Sequence, residues 1–176
     1  VLLQGILQAP FFDQKATDLE NTGAIGVVIG HELGHAIDDK GSLYDSEGKL
    51  RKWMSDKDLE AFRARSKPMI EQFDKIGHNG AFTLGENIGD HVGLFAAYHA
   101  AAAANPKLSK SDKQIFFKSY ARLWCEVQTP TAAKQKIKTD PHALGKERIN
   151  QQVVHLPGFY EAFDCKEGDK MFVAPE

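Results

Sequence analysis

The string His31-Glu32-Leu33-Gly34-His35 places two imidazoles four positions apart with a carboxylate beside the first. On a helix of 3.6 residues per turn that spacing is about 400° of rotation, so both rings leave nearly the same face and can grip one ion. Glu32 sits one step round the helix, where it can touch a water on that ion without becoming a ligand. A lone helical histidine is ordinarily a surface or core residue. Two at this spacing, with the intervening carboxylate, point instead to a catalytic zinc with a general base beside it.

Such a zinc usually has three protein ligands and a water, so a third ligand is required. Glu86, within Gly85-Glu86-Asn87-Ile88-Gly89-Asp90, lies 51 positions beyond His35, too far for the same helix but suited to a second helix packed across the first. Asp90, four residues further on, shares the face of Glu86. A ligating imidazole normally donates its other ring N–H to a carboxylate or carbonyl, so Asp90 is expected to orient one histidine and Asp38 the other. By itself a Glu-x-x-x-Asp pair reads as a solvated helix face. The small residues reverse that reading: Gly89, Gly93 and Ala97 continue the stripe begun by Glu86, as Gly30 and Gly34 line the first helix. Each helical glycine costs about 1 kcal/mol relative to Ala, and the gain that offsets it is close approach of two backbones.

These residues need elements to position them. Residues 21–38 carry no proline and follow the acidic or capping Asp18, Glu20 and Asn21, which predicts a helix stopped near Gly41. Ser55 with Asp58 resembles a cap opening a second helix, with Leu59, Phe62, Ser66, Ile70 and Phe73 as its packing stripe. A third helix is expected from about Leu84 to Ala104, stopped by Asn105-Pro106. A fourth follows a cap read at Ser111 and Gln114, with Phe116, Tyr120, Leu123 and Val127 at helical spacing. The segment 1–12 reads as a short strand or extended entry, and the remainder as shorter helices and loops. The expected class is mainly α, with little β structure confined to the N-terminal end, in a single domain over residues 1–176.

Composition excludes several alternatives. A formal net charge of −2 offers no broad basic surface, so nucleic acid is not an expected partner. No apolar run reaches the roughly 18 to 20 residues needed to cross a bilayer, so no membrane span is expected. Two cysteines, Cys125 and Cys165, are too few for a disulfide framework and are not spaced as a metal clip.

Taken together, VIGHELGHAIDDKG, TLGENIGDHVGL, RLWCEVQ and IKTDPHALGKERIN closely resemble the catalytic domain of the neprilysin and endothelin-converting-enzyme peptidases. The likeness extends from GILQAPFFD through YDSEGKLRKW to FYEAFDC, essentially the whole chain. The resemblance implies a zincin-like, thermolysin-like gluzincin core that binds one zinc ion through His31, His35 and Glu86. It implies an endopeptidase acting on small peptides, usually before a hydrophobic residue, with Glu32 as general base toward a zinc-activated water. His142, in Thr139-Asp140-Pro141-His142, matches the histidine that hydrogen-bonds the oxyanion, and Arg148 the arginine that holds a substrate carbonyl. Asp90 enters as both a catalytic and an orienting carboxylate. His78, His91, His99 and His155 have no such match and read as structural or exposed.

Upstream of GILQ, members of the family have a substrate-binding edge strand and a helical lobe, neither of which is in this sequence, and the family's basic, tryptophan-containing ending is not seen in its close at Ala174-Pro175-Glu176. A trimmed C-terminal part of a catalytic domain is therefore expected, with the upstream part of the parent as its partner and an extracytoplasmic location. Cysteines matching Cys125 and Cys165 commonly pair with that upstream region in relatives. Two alternatives stay open: a zinc-stabilised binding or structural module, and a different gluzincin peptidase. The second fits the HExxH string but places its third ligand much closer to the second histidine.

Overall fold

The computed structural model describes residues 2–173, of which Val1 and the closing 174–176 are not part. Of the described residues 64% are helical, in agreement with a mainly α class. Among the described residues the only β pairing is an isolated antiparallel bridge between Tyr44 and Leu50.

The first long rod is composite. It begins as α1 (Asp18–Asn21), widens into a π-helical stretch (Thr22–Gly26), continues as α2 (Val27–Gly34) and tightens to a 3-10 turn over His35–Ile37. It starts earlier than the sequence predicts because Thr17 and Glu20 form a reciprocal capping box. Helix α3 (Asp56–Asp74) opens on Ser55, whose side chain accepts from the Asp58 N–H, as expected. Helix α4 (Gly80–Ala104) starts before Leu84 because the Asn79 side chain caps it by accepting from Phe82 N–H.

Helix α5 (Lys110–Leu123) is capped by Ser109 with Asp112, two residues before the predicted Ser111. Asp112 at the third helical position reaches back to the Ser109 N–H, and that reciprocity selects between two otherwise similar serines. Helices α6 (Pro130–Thr139), α7 (Gly145–Val153) and α8 (Pro157–Phe163) complete the chain. The N-terminal segment differs from the expected strand: it forms a 3-10 turn over Gln4–Ile6. Val1, the first residue of that expectation, lies outside the described residues.

The core gathers on the C-terminal half of α4. Leu94, Phe116 and Tyr120 are fully buried there, together with Val27, Leu156 and Ala162. The N-terminal half of α4 instead crosses α2 through small residues. A Cβ added to Gly30 would lie 2.8 Å from Gly93 Cα, and one added to Gly93 would lie 2.4 Å from the Val27 carbonyl oxygen. Both distances are shorter than a real Cβ contact, so the two backbones meet as closely as glycine permits.

Candidate metal centre

That crossing delivers the histidines of one rod to the carboxylates of the other. His31 and Asp90 face each other with Nδ1–Oδ1 2.8 Å, and a Cβ at Gly89 would sit 2.9 Å from the His31 ring. His35, at the end of α2, turns its Nδ1 to Asp38 Oδ2 at 2.7 Å. Asp38 is itself pinned, because its other oxygen accepts the Lys40 and Gly41 backbone N–H groups. His142, in the loop between α6 and α7, has Nδ1 2.8 Å from Asp140 Oδ1.

All three imidazoles thus have Nδ1 engaged by a carboxylate, and all three Nε2 atoms converge on one atom, Glu86 Oε2. The separations are 3.2 Å from His31, 3.5 Å from His35 and 3.0 Å from His142. Among the described residues His31, His35 and Glu86 form the one group of His, Cys, Asp or Glu whose ligand atoms all lie within 4.8 Å of one another. Glu32 is half-buried on the helix one residue after His31.

The donor set fits a zinc ion. Bonds of about 2.0–2.2 Å put the vertices of a tetrahedron roughly 3.3–3.6 Å apart, close to the two His–Glu86 separations. Glu86 Oε2 is buried and receives no hydrogen bond of good geometry despite three ring nitrogens around it. The Nδ1–carboxylate contacts select tautomers that leave the Nε2 lone pairs of His31 and His35 directed at that same point.

The electrostatics agree. Burial disfavours a charged His31, but Asp90 and Glu86 outweigh it and push its pKa up to about 9. Burial would also raise Glu86, yet His142 and His31 hold its carboxyl well below the usual range. A cluster that draws a proton this strongly into a ring of carboxylates is one built for positive charge.

Arg148 packs against Asp90 at the edge of this cluster. It is buried in α7, its Nε donating to Asp90 Oδ2 at 2.8 Å and its Nη2 to Asp90 Oδ1 at 2.6 Å. Its guanidinium lies 3.6 Å from the centroid of the Trp124 ring. Asp90 therefore bridges His31 and Arg148. Burial alone would raise its pKa, and the Arg148 cation beside it keeps it a carboxylate. The sequence reading singles out both residues but not their pairing, since 58 positions separate them. Trp124 and Asp140 were likewise visible only as parts of motifs. Of the four histidines read as structural or exposed, His78 is buried, His91 and His155 are half-buried and His99 is exposed.

The profile of peptidase family M13 matches residues 1–176. The chain is 44% identical to an endothelin-converting enzyme homolog of Locusta migratoria, over 95% of this chain and 25% of that protein. It is 40% identical to human endothelin-converting enzyme 1, over 95% of this chain and 24% of that protein. Among solved structures, PEPO from Lactobacillus rhamnosis superposes with a TM-score of 0.90 at 37% identity, covering 97% of this chain and 28% of that one. The Mycobacterium tuberculosis zinc metalloprotease ZMP1, solved with an inhibitor, gives 0.86 at 38% identity, covering 97% and 29%. The chain spans about a quarter of the length of the curated relatives it matches.

Proposed function

Because this chain belongs to peptidase family M13, we propose that the protein containing it is a zinc endopeptidase of small peptides, with His31, His35 and Glu86 as metal ligands. The convergence of the His31 and His35 Nε2 atoms on Glu86 Oε2, each ring tied back through Nδ1, carries this reading. Zinc bound there supplies a Lewis acid that polarises the scissile carbonyl and lowers the pKa of water.

The chain's own residues then divide the work. Glu32 takes the proton of the attacking water on its carboxylate and returns it to the departing amine nitrogen. His142 donates from Nε2–H to the oxygen that becomes an oxyanion. Glu86 beside Nε2 and Asp140 at Nδ1 raise the pKa of His142 against its burial, which favours the doubly protonated ring that this donation requires. Asp90 fixes His31 and holds Arg148 at the wall of the adjoining cavity, where Arg148 meets a substrate carbonyl on the leaving side. The resemblance supports an extracytoplasmic setting and cleavage before hydrophobic residues. No helix among the described residues is long and apolar enough to cross a membrane.

A second reading concerns the isolated chain. The His35 and His142 side chains are 32% and 37% exposed, so this chain alone leaves its site open to solvent. By itself it acts as a zinc-stabilised module without turnover. Zinc content and hydrolysis of a short peptide, measured for chain and full-length protein alike, separate the two readings. Hydrolysis by the full-length protein that survives chelation would contradict the peptidase assignment.

A further inference from the structure

Helix α7, which carries Arg148, begins without the usual cap. Leu144 stands at its N-cap and has no side-chain oxygen to accept a helical N–H. Glu126, from the segment after α5, takes that place: its Oε1 accepts from the Gly145 N–H at 2.8 Å. The same carboxylate meets Lys136 Nζ of α6 through Oε2 at 3.2 Å and accepts from Gln128 Nε2 through Oε1 at 3.2 Å. One side chain therefore ties together both ends of the Asp140–Leu144 loop in which His142 lies.

The fit is tight. A Cβ on Gly145 would lie 2.2 Å from the Trp124 carbonyl oxygen and 3.0 Å from Glu126 Oε1, so the start of α7 is pressed against the Trp124–Glu126 backbone. Trp124 in turn lies under the Arg148 guanidinium. Trp124, Glu126, Lys136, His142, Gly145 and Arg148 line one cavity of about 270 Å³. We infer that Glu126 is a positioning residue which, as the surrogate cap of α7, sets the placement of Arg148 and His142 across this cavity and so the alignment of a peptide bound there. The inference rests on the peptidase reading above.

Magnitudes decide which contact matters. The side chains of Glu126 and Lys136 are 34% and 30% exposed, so their ion pair is screened and weak. The bond from a carboxylate to a helix N-terminal N–H is charge-assisted and aligned with the helix dipole, and is the stronger of the two.

The test uses the full-length, zinc-loaded protein and a short peptide substrate, with kcat and KM measured well below the melting temperature. E126A should lower kcat/KM on the order of 10-fold at unchanged zinc content, because small misplacements of positioned groups are costly. E126Q, which can still accept from Gly145, should stay within about 3-fold of the natural protein, and K136M within about 2-fold. A purely structural role would lower the melting temperature and leave kcat/KM intact in all three. If E126A does not fold, G145A displaces the same helix start with the carboxylate retained, and a loss of similar size is expected. Unchanged kcat/KM in E126A or G145A, or an E126Q as damaged as E126A, overturns the inference. Absence of turnover in the unsubstituted protein would instead remove the peptidase reading on which it rests.

Discussion

The two halves of α4 solve opposite problems. From Leu94 onward the helix packs into aromatic rings, with Tyr98 5.4 Å from Phe116 and 5.5 Å from Phe117, and Phe117 5.5 Å from Phe159. Before Leu94 it presents Gly89 and Gly93 to α2 and carries Glu86 and Asp90. The aromatic half maximises buried area, the main source of stability. The glycine half gives up that area for distance, since a carboxylate of one rod and imidazoles of the other must meet around a point. Stability is thus concentrated one helical segment away from the groups assigned to chemistry, and the two are separable by mutation.

The largest effect belongs to α2, the rod that the glycine half meets. Glu32→Gln in the full-length protein should lower peptide turnover by about 10²–10⁴-fold while zinc content stays at one per chain. Retained turnover would break the assignment of a base to the polar side. Phe116→Ala should do the reverse, costing about 3–5 kcal/mol of stability in chemical denaturation. In the fraction that stays folded, zinc stoichiometry should be unchanged. Loss of zinc on mutating Phe116 would show that the halves are not separable.

Gly93→Ala sits on the boundary. Its Cβ would come 2.4 Å from the Val27 carbonyl oxygen and 2.7 Å from the His31 backbone nitrogen, so α2 and α4 must move apart. A stability loss of about 1–3 kcal/mol is expected, together with weaker zinc binding measured by competition with a chelating dye. Unchanged zinc affinity would mean that the close crossing does not serve the site.

The remaining effect is a pH dependence. In chelated protein the His31 pKa, raised from 6.5 to about 9, makes a stability contribution that is complete below pH 6.5 and is lost as pH rises through about 9. With zinc on the same nitrogen the metal replaces that proton, so the dependence should vanish between those limits. Thermal melts of chelated and zinc-loaded protein across this window measure the difference. Parallel curves would contradict it.

Much of this site was legible in the sequence because its parts are local. The His31–His35 spacing, the Glu86–Asp90 pair and the small residues beside them are all helical periodicities, readable wherever no proline intervenes. Asp38 lies three residues from the histidine it holds. What was hidden is long-range or aperiodic. The Arg148–Asp90 clamp and the Glu126–Gly145 tie join different elements, and no spacing rule encodes them. The π-helical stretch at Thr22–Gly26 leaves no mark in a 3.6-residue pattern, and that rod begins at Asp18, ahead of Asn21. The apolar start misled for a related reason: Leu3 and Leu7 look like strand residues, but they are 73% and 51% exposed and meet no partner strand among the described residues.

Diffraction at the zinc absorption edge from crystals of the full-length protein tests the central claim most directly. A single anomalous peak is expected about 2.0–2.2 Å from Nε2 of His31, Nε2 of His35 and a carboxylate oxygen of Glu86. A zinc-loaded crystal with its peak elsewhere, or with Glu86 beyond bonding distance of the metal, would contradict the account.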